Sequence, residues 1–199
     1  MVAKLLKVAW WAILLGLGME LILVAVAAGA GKMPALKPVV ADLVQKVSWS
    51  FIVCMGLAVG TAAAKSRGTV MGLAGLAAAP VAFHVARMLH KSAVQTLAIA
   101  GPASSAPSVA TLALIKAVEY AWLGAAIAWL SKRGSGVNAH LILGLVTGAA
   151  CATVIMGLGA ASGAQMPVVA LVTRTVNELL FPAGCALVLF AAERLGQRK

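Results

Sequence analysis

Apolar positions in this chain neither alternate nor form narrow helical stripes. They come in long runs, at residues 8–28, 43–64, 69–89, 109–130, 141–161 and 168–191. A helix of about 20 residues, rising 1.5 Å per residue, matches the roughly 30 Å hydrocarbon thickness of a bilayer. A transmembrane barrel would instead show alternating segments of about ten residues. The pattern predicts an all-α polytopic integral membrane protein. Residues 1–199 form a single transmembrane domain of six helices, arranged as three consecutive hairpins. The first run follows Lys4 and Lys7 and resembles a signal peptide. It is long enough to span, so it is expected to remain as the first helix. Pro34 and Pro38 punctuate a loop at 29–41. Pro102 and Pro107 close the longest connection, 92–108, whose first part is expected to lie at the membrane interface.

Charge sets the orientation. The chain is 62% hydrophobic and 11% charged, where a soluble domain carries about 25%. Its net charge of +11 would suggest nucleic acid in a soluble protein. Here the basic residues cluster at the ends of apolar runs, and no aromatic-interleaved basic patch accompanies them, so no nucleic-acid partner is expected. With the N-terminus inside, Lys4, Lys7, Lys65, Arg67, Lys132, Arg133, Arg194, Arg198 and Lys199 flank inner ends. Lys32 and Lys37 alone fall in outer loops. Positive residues favour the cytoplasmic side, which predicts an N-in/C-in topology, in a bacterial cytoplasmic (inner) membrane.

Residues 72–83, GLAGLAAAPVAF, resemble 144–155, GLVTGAACATVI. The even-numbered runs carry KVSW from Lys46, KAVEY from Lys116 and RTVNE from Arg174. These likenesses predict parallel hairpin repeats at 1–66, 67–133 and 134–199.

Charges inside the apolar runs carry the chemistry. Lys116 and Glu119 are three residues apart; Arg174 and Glu178, like Asp42 and Lys46, are four apart. Such spacings put both members on one helix face. A charge at the centre of a membrane helix costs roughly 2.5–3.5 kcal/mol on insertion scales, so it needs a partner or a water-filled pathway. Each pair is expected to neutralise itself along its own helix. Glu20, Glu119 and Glu178, one per hairpin, are expected to converge near the bilayer midplane. Glu20, Lys46, Lys116, Glu119, Arg174 and Glu178 are therefore the candidate substrate or ion pathway, with His84, Arg87 and Lys91 as an outer polar stripe on the third helix. Pro182 removes the hydrogen bond that the Glu178 carbonyl would accept, and Pro80 does the same at Leu76. Loosened backbone beside a carboxylate is a feature of transporter sites, although proline is also a common packing kink.

The remaining signals are structural. Gly56 and Gly60, and Gly144 and Gly148, form GxxxG faces expected to sit at helix contacts. Cys54, Cys151 and Cys185 read as small packing residues. Trp10, Trp11 and Trp129 read as interfacial anchors, and Trp49 and Trp122 as helix contacts. His84, His90 and His140 share no face, so no metal and no cofactor are expected. No nucleophile motif or phosphate loop is present, so an enzyme is not expected. The leading expectation is a small transporter or channel. The alternative is a non-catalytic helical subunit or scaffold of a larger membrane complex, its ion pairs fixing helix register. The expected partners are the lipid bilayer and either further copies of the chain or the other subunits of a membrane complex.

Overall fold

The computed structural model describes residues 2–61, 66–99, 108–163 and 166–197. It contains six helices: α1 (Val2–Gly29), α2 (Leu36–Gly60), α3 (Arg67–Thr96), α4 (Val109–Lys132), α5 (Val137–Ala161) and α6 (Val168–Gln197). Each is long and apolar enough to cross a membrane. The described residues hold no strand. Lys65, Pro102, Pro107, Arg198 and Lys199 lie outside the described residues.

Two helix boundaries differ from the hydropathy pattern, and both matter for the polar residues. Helix α2 starts at Leu36, inside what reads as a loop. Pro38 falls in its first turn, where a missing amide hydrogen costs nothing because that group has no intrahelical acceptor. Helix α3 runs on to Thr96, so the segment after Leu89 continues the helix rather than lying apart at the interface. His84, Arg87 and Lys91 therefore project from helical backbone. Pro80 and Pro182 lie inside α3 and α6 without ending them.

The helices close into a ring. Helix α1 packs on α2 and α6, α3 on α2 and α4, and α5 on α6 and α4. The even-numbered helices meet at the centre. Trp49 of α2 meets Tyr120 of α4 edge-on at 5.7 Å, and Cys54 of α2 touches Cys185 of α6 at 3.4 Å between sulfurs. The core is built of residues such as Leu57, Met71, Leu123 and Phe181. Leu14, Leu73, Val81, Ile142 and Val154 face outward instead, as a lipid-facing surface requires. Trp10, Trp11 and Trp129 are exposed and Trp49 is buried. Trp122 corrects the expectation of a helix contact, because it is exposed. It shares an outer stripe of α4 with Leu114 and Val118, at helical spacing.

Small residues permit this closeness. A Cβ on Gly56 would lie 2.4 Å from Ala78 Cβ, and one on Gly60 2.8 Å from Met71 Cα, both on α3. A Cβ on Gly144 would lie 2.3 Å from Ala183 Cα on α6. Both GxxxG faces are thus helix contacts, as the spacing predicts.

Candidate functional site

Contacts between helices fix which ends lie together. Asp42 near the start of α2 accepts a hydrogen bond from His90 Nε2 near the end of α3, at 3.0 Å. Glu20 in the second half of α1 meets Lys46 in the first half of α2 at 2.6 Å. At the opposite end, Arg67 opening α3 pairs with Glu193 near the end of α6 at 2.6 Å. Ser131 near the end of α4 donates to the same carboxylate at 2.7 Å. The buried charges belong to the first of these ends, here the upper end. Counting from the helix starts, Lys116 is about 10 Å down and Glu119, Glu178 and Lys46 about 15 Å.

The centre of the site is a trio. The Lys116 ammonium on α4 donates to Glu119 Oε2 at 2.7 Å, one turn along the same helix. It also donates to Glu178 Oε2 on the facing helix α6. All three side chains are nearly buried, Glu119 most of all, at 2% exposed. Cys151 of α5 lies beside them. Glu119 Oε1 is buried with no hydrogen-bond partner of ordinary geometry. Two carboxylates on one ammonium carry a net charge of −1, or zero once a proton is bound. Buried charge of this kind is retained only where geometry and hydrogen bonds offset desolvation.

Lys46 and Glu20 form a separate pair, with side chains 13% and 7% exposed. Three expectations are corrected here. Glu20 does not join Glu119 and Glu178; α1 turns it toward α2, and Lys46 takes it. Lys46 consequently does not pair with Asp42. The Asp42 side chain is 48% exposed and needs little help, whereas the buried Glu20 carboxylate has the stronger claim on an ammonium. Arg174 does not pair with Glu178 either. Its guanidinium contacts Met166 Sδ at 3.9 Å, toward the helix start. Side chains lean toward the N-terminus of their helix, and a cation preceding its carboxylate by four is the weaker order of such pairs. Lys116, arriving from the facing helix, takes Glu178 instead.

A cavity of about 460 Å³ sits above the trio. All six helices line it, from Leu23 on α1 to Phe181 on α6. Lys116 and Glu178 border it, and so do Lys46, Asp42, Arg87 and Arg174. Its neutral polar walls are Gln45, Thr173 and Asn177. Glu119 lies beneath, not in the wall. A second cavity, about 350 Å³ between α1, α2 and α6, shares Leu23, Asp42, Lys46 and Thr173 with the first and reaches Glu20. The outer stripe divides: all three residues are exposed on α3, and Arg87 borders the cavity while His84 and Lys91 do not.

Sequence reasoning missed Gln45, Trp49 and Asn177 as cavity residues, and the Arg67–Glu193 pair. The repeat alignment contained a signal for two of them. It sets Lys46, Lys116 and Arg174 in equivalent places on α2, α4 and α6, with Trp49, Glu119 and Asn177 three residues on. All three cations line the one cavity. Among the described residues, no group of three His, Cys, Asp or Glu side chains is placed to hold a metal ion. Compared with protein-family models, curated proteins and solved structures, the chain matches none.

Proposed function

We propose that this chain is a small membrane transporter or channel whose polar pathway runs through the central cavity and past Lys116, Glu119 and Glu178. The observation that carries the reading is the cavity itself. It is bordered by all six helices of one chain and has charged side chains in its walls. A helix bundle serving only as a scaffold gains nothing from such a void, since a dry apolar interior packs more tightly than one enclosing charge. Placing the cavity toward the outer face, with both termini in the cytoplasm, follows from the distribution of basic residues. A cysteine replacing Ser135, in the α4–α5 turn, is then expected to react with a membrane-impermeant thiol reagent only after cells are permeabilised. Labelling in intact cells would reverse the topology.

Glu119→Gln tests the pathway. The substitution keeps the shape of the carboxylate and leaves the Lys116–Glu178 pair neutral. Flux of protons, small cations and small anions is measured in proteoliposomes. The wild-type protein is expected to carry one of them, and the variant to lose that flux while keeping its melting temperature. The subunit reading draws its support from the exposed stripe of Leu114, Val118, Trp122 and Trp129 on α4. It predicts the opposite pattern: no flux in either protein, with stable recovery only as part of a larger assembly.

A further inference from the structure

Two of the cations around the cavity have no carboxylate partner. Lys46, Arg87, Lys116 and Arg174 border it, against Asp42 and Glu178. Both carboxylates are engaged: Asp42 by His90 and Glu178 by Lys116. The pairing of every carboxylate in the chain isolates the same two guanidinium groups. The chain has five acidic residues. Glu20 is taken by Lys46, Glu119 and Glu178 by Lys116 and Glu193 by Arg67, while Asp42 is hydrogen-bonded to His90. Among the described residues, no carboxylate stands at ion-pair distance from Arg87 or Arg174. Their contacts are soft ones. The Arg87 guanidinium lies over the Phe83 ring, 5.5 Å from its centroid, and Arg174 touches the Met166 sulfur. Such contacts orient a guanidinium without neutralising it.

We propose that the cavity is a binding site for a small organic anion, whose oxygens are held by Arg87 of α3 and Arg174 of α6. The proposal rests on the transport reading for its purpose, but the site stands on its own geometry. Guanidinium forks suit carboxylate and phosphate oxygens, which they can hold with two parallel hydrogen bonds. The amides of Gln45 and Asn177 in the same wall supply further donors. The opposite character of the wall sets the size and class of the ligand. Trp49, Phe83, Ile155 and Phe181 are apolar, and about 460 Å³ is in the range of small-molecule sites rather than bare ions. The ligand is thus an oxyanion with an apolar body. Below it the Lys116 trio carries −1, or zero with a proton, so the anion meets less repulsion when the trio is protonated.

The test is equilibrium binding to the purified full chain in detergent, with benzoate, pyruvate and succinate as probes. Benzylamine serves as the cation of matching shape. At least one of the three anions is expected to bind while benzylamine does not. Arg174→Gln and Arg87→Gln should each weaken that affinity about tenfold, the worth of one charge-assisted contact. Lys91→Gln, from the same α3 stripe but outside the cavity, should leave it unchanged. A second measurement needs no ligand. A cysteine replacing Asn177, in a Cys151→Ala background, should react faster with an anionic thiosulfonate than with a cationic one, relative to free thiol. Arg174→Gln should erase that preference. Binding of none of the anions, equal binding of benzylamine, or a cationic-reagent preference would each overturn the site. Anion binding without any flux would remove the transport reading and leave this site standing; cation flux with no anion binding would do the reverse.

Discussion

Lys116→Met is expected to destabilise the protein by about 3–5 kcal/mol, because it leaves two buried carboxylates without the one cation paired with them among the described residues. Methionine fills most of the same volume, so little of the effect comes from a void. The cause is electrostatic. Lys116 is 8% exposed and donates to both Glu119 and Glu178. Without it, two carboxylates face each other in a low-dielectric interior. Glu178 borders the cavity, where a stranded carboxylate is less fully desolvated than in a packed core, so the loss should fall near the lower end of that range. In a thermal melt in detergent, a drop on the order of 10 °C corresponds to such a loss for a chain of this size. The double variant Lys116→Met with Glu178→Gln should recover part of the loss, since it removes one of the stranded charges. An unchanged melting temperature for Lys116→Met would mean that the trio is hydrated rather than buried, and the pathway would have to be drawn elsewhere.

What hydropathy makes legible here is the number of helices and the inward placement of their charges. Both follow from one constraint: an apolar run of spanning length can hold Lys116, Glu119 or Glu178 only if it turns them from lipid. Which cation takes which carboxylate is not legible, because the spacing of residues along a helix says nothing of the helix opposite. Asp42–Lys46 and Arg174–Glu178 satisfy the four-residue rule, yet both are passed over for contacts between helices. The choice is decided by burial. The deep Glu20 and Glu178 capture the ammonium groups of Lys46 and Lys116, and the half-exposed Asp42 is left with His90. The same competition leaves Arg87 and Arg174 unmatched. The cavity was equally hidden, since it depends on Gln45 and Asn177, polar residues that carry no motif. Helix α3 shows a further limit. Its polar last turns read as a loop, yet the helix runs through them, tied to α2 by the His90–Asp42 hydrogen bond and, just beyond its end, by Lys37 donating to the Leu97 carbonyl.

Gly148→Ala should cost about 1–3 kcal/mol, the usual range for overpacking a close contact. A Cβ at this position would stand 2.7 Å from the carbonyl oxygens of both Glu178 and Leu179. The obstructing atoms are backbone, so no rotamer change relieves the clash, and α5 must move away from α6. The place of the clash makes it informative. Pro182 deprives the Glu178 carbonyl of its helical donor, and the missing side chain of Gly148 lets α5 come up against that oxygen. Pushing the helices apart there shifts the backbone that carries Glu178 relative to Lys116. The variant should therefore lose stability and flux together, whereas Glu119→Gln loses flux alone. Gly157→Ala, on the same helix, is the control. Beyond its own stretch of helix, no atom lies within 4 Å of the Cβ it would add, and alanine restricts the unfolded backbone, so it should be neutral or slightly stabilising. Melting temperatures of the two variants in one detergent decide the matter. Equal melting temperatures would show that α5 and α6 do not pack through Gly148, and the seat of Glu178 opposite Lys116 would lose its support.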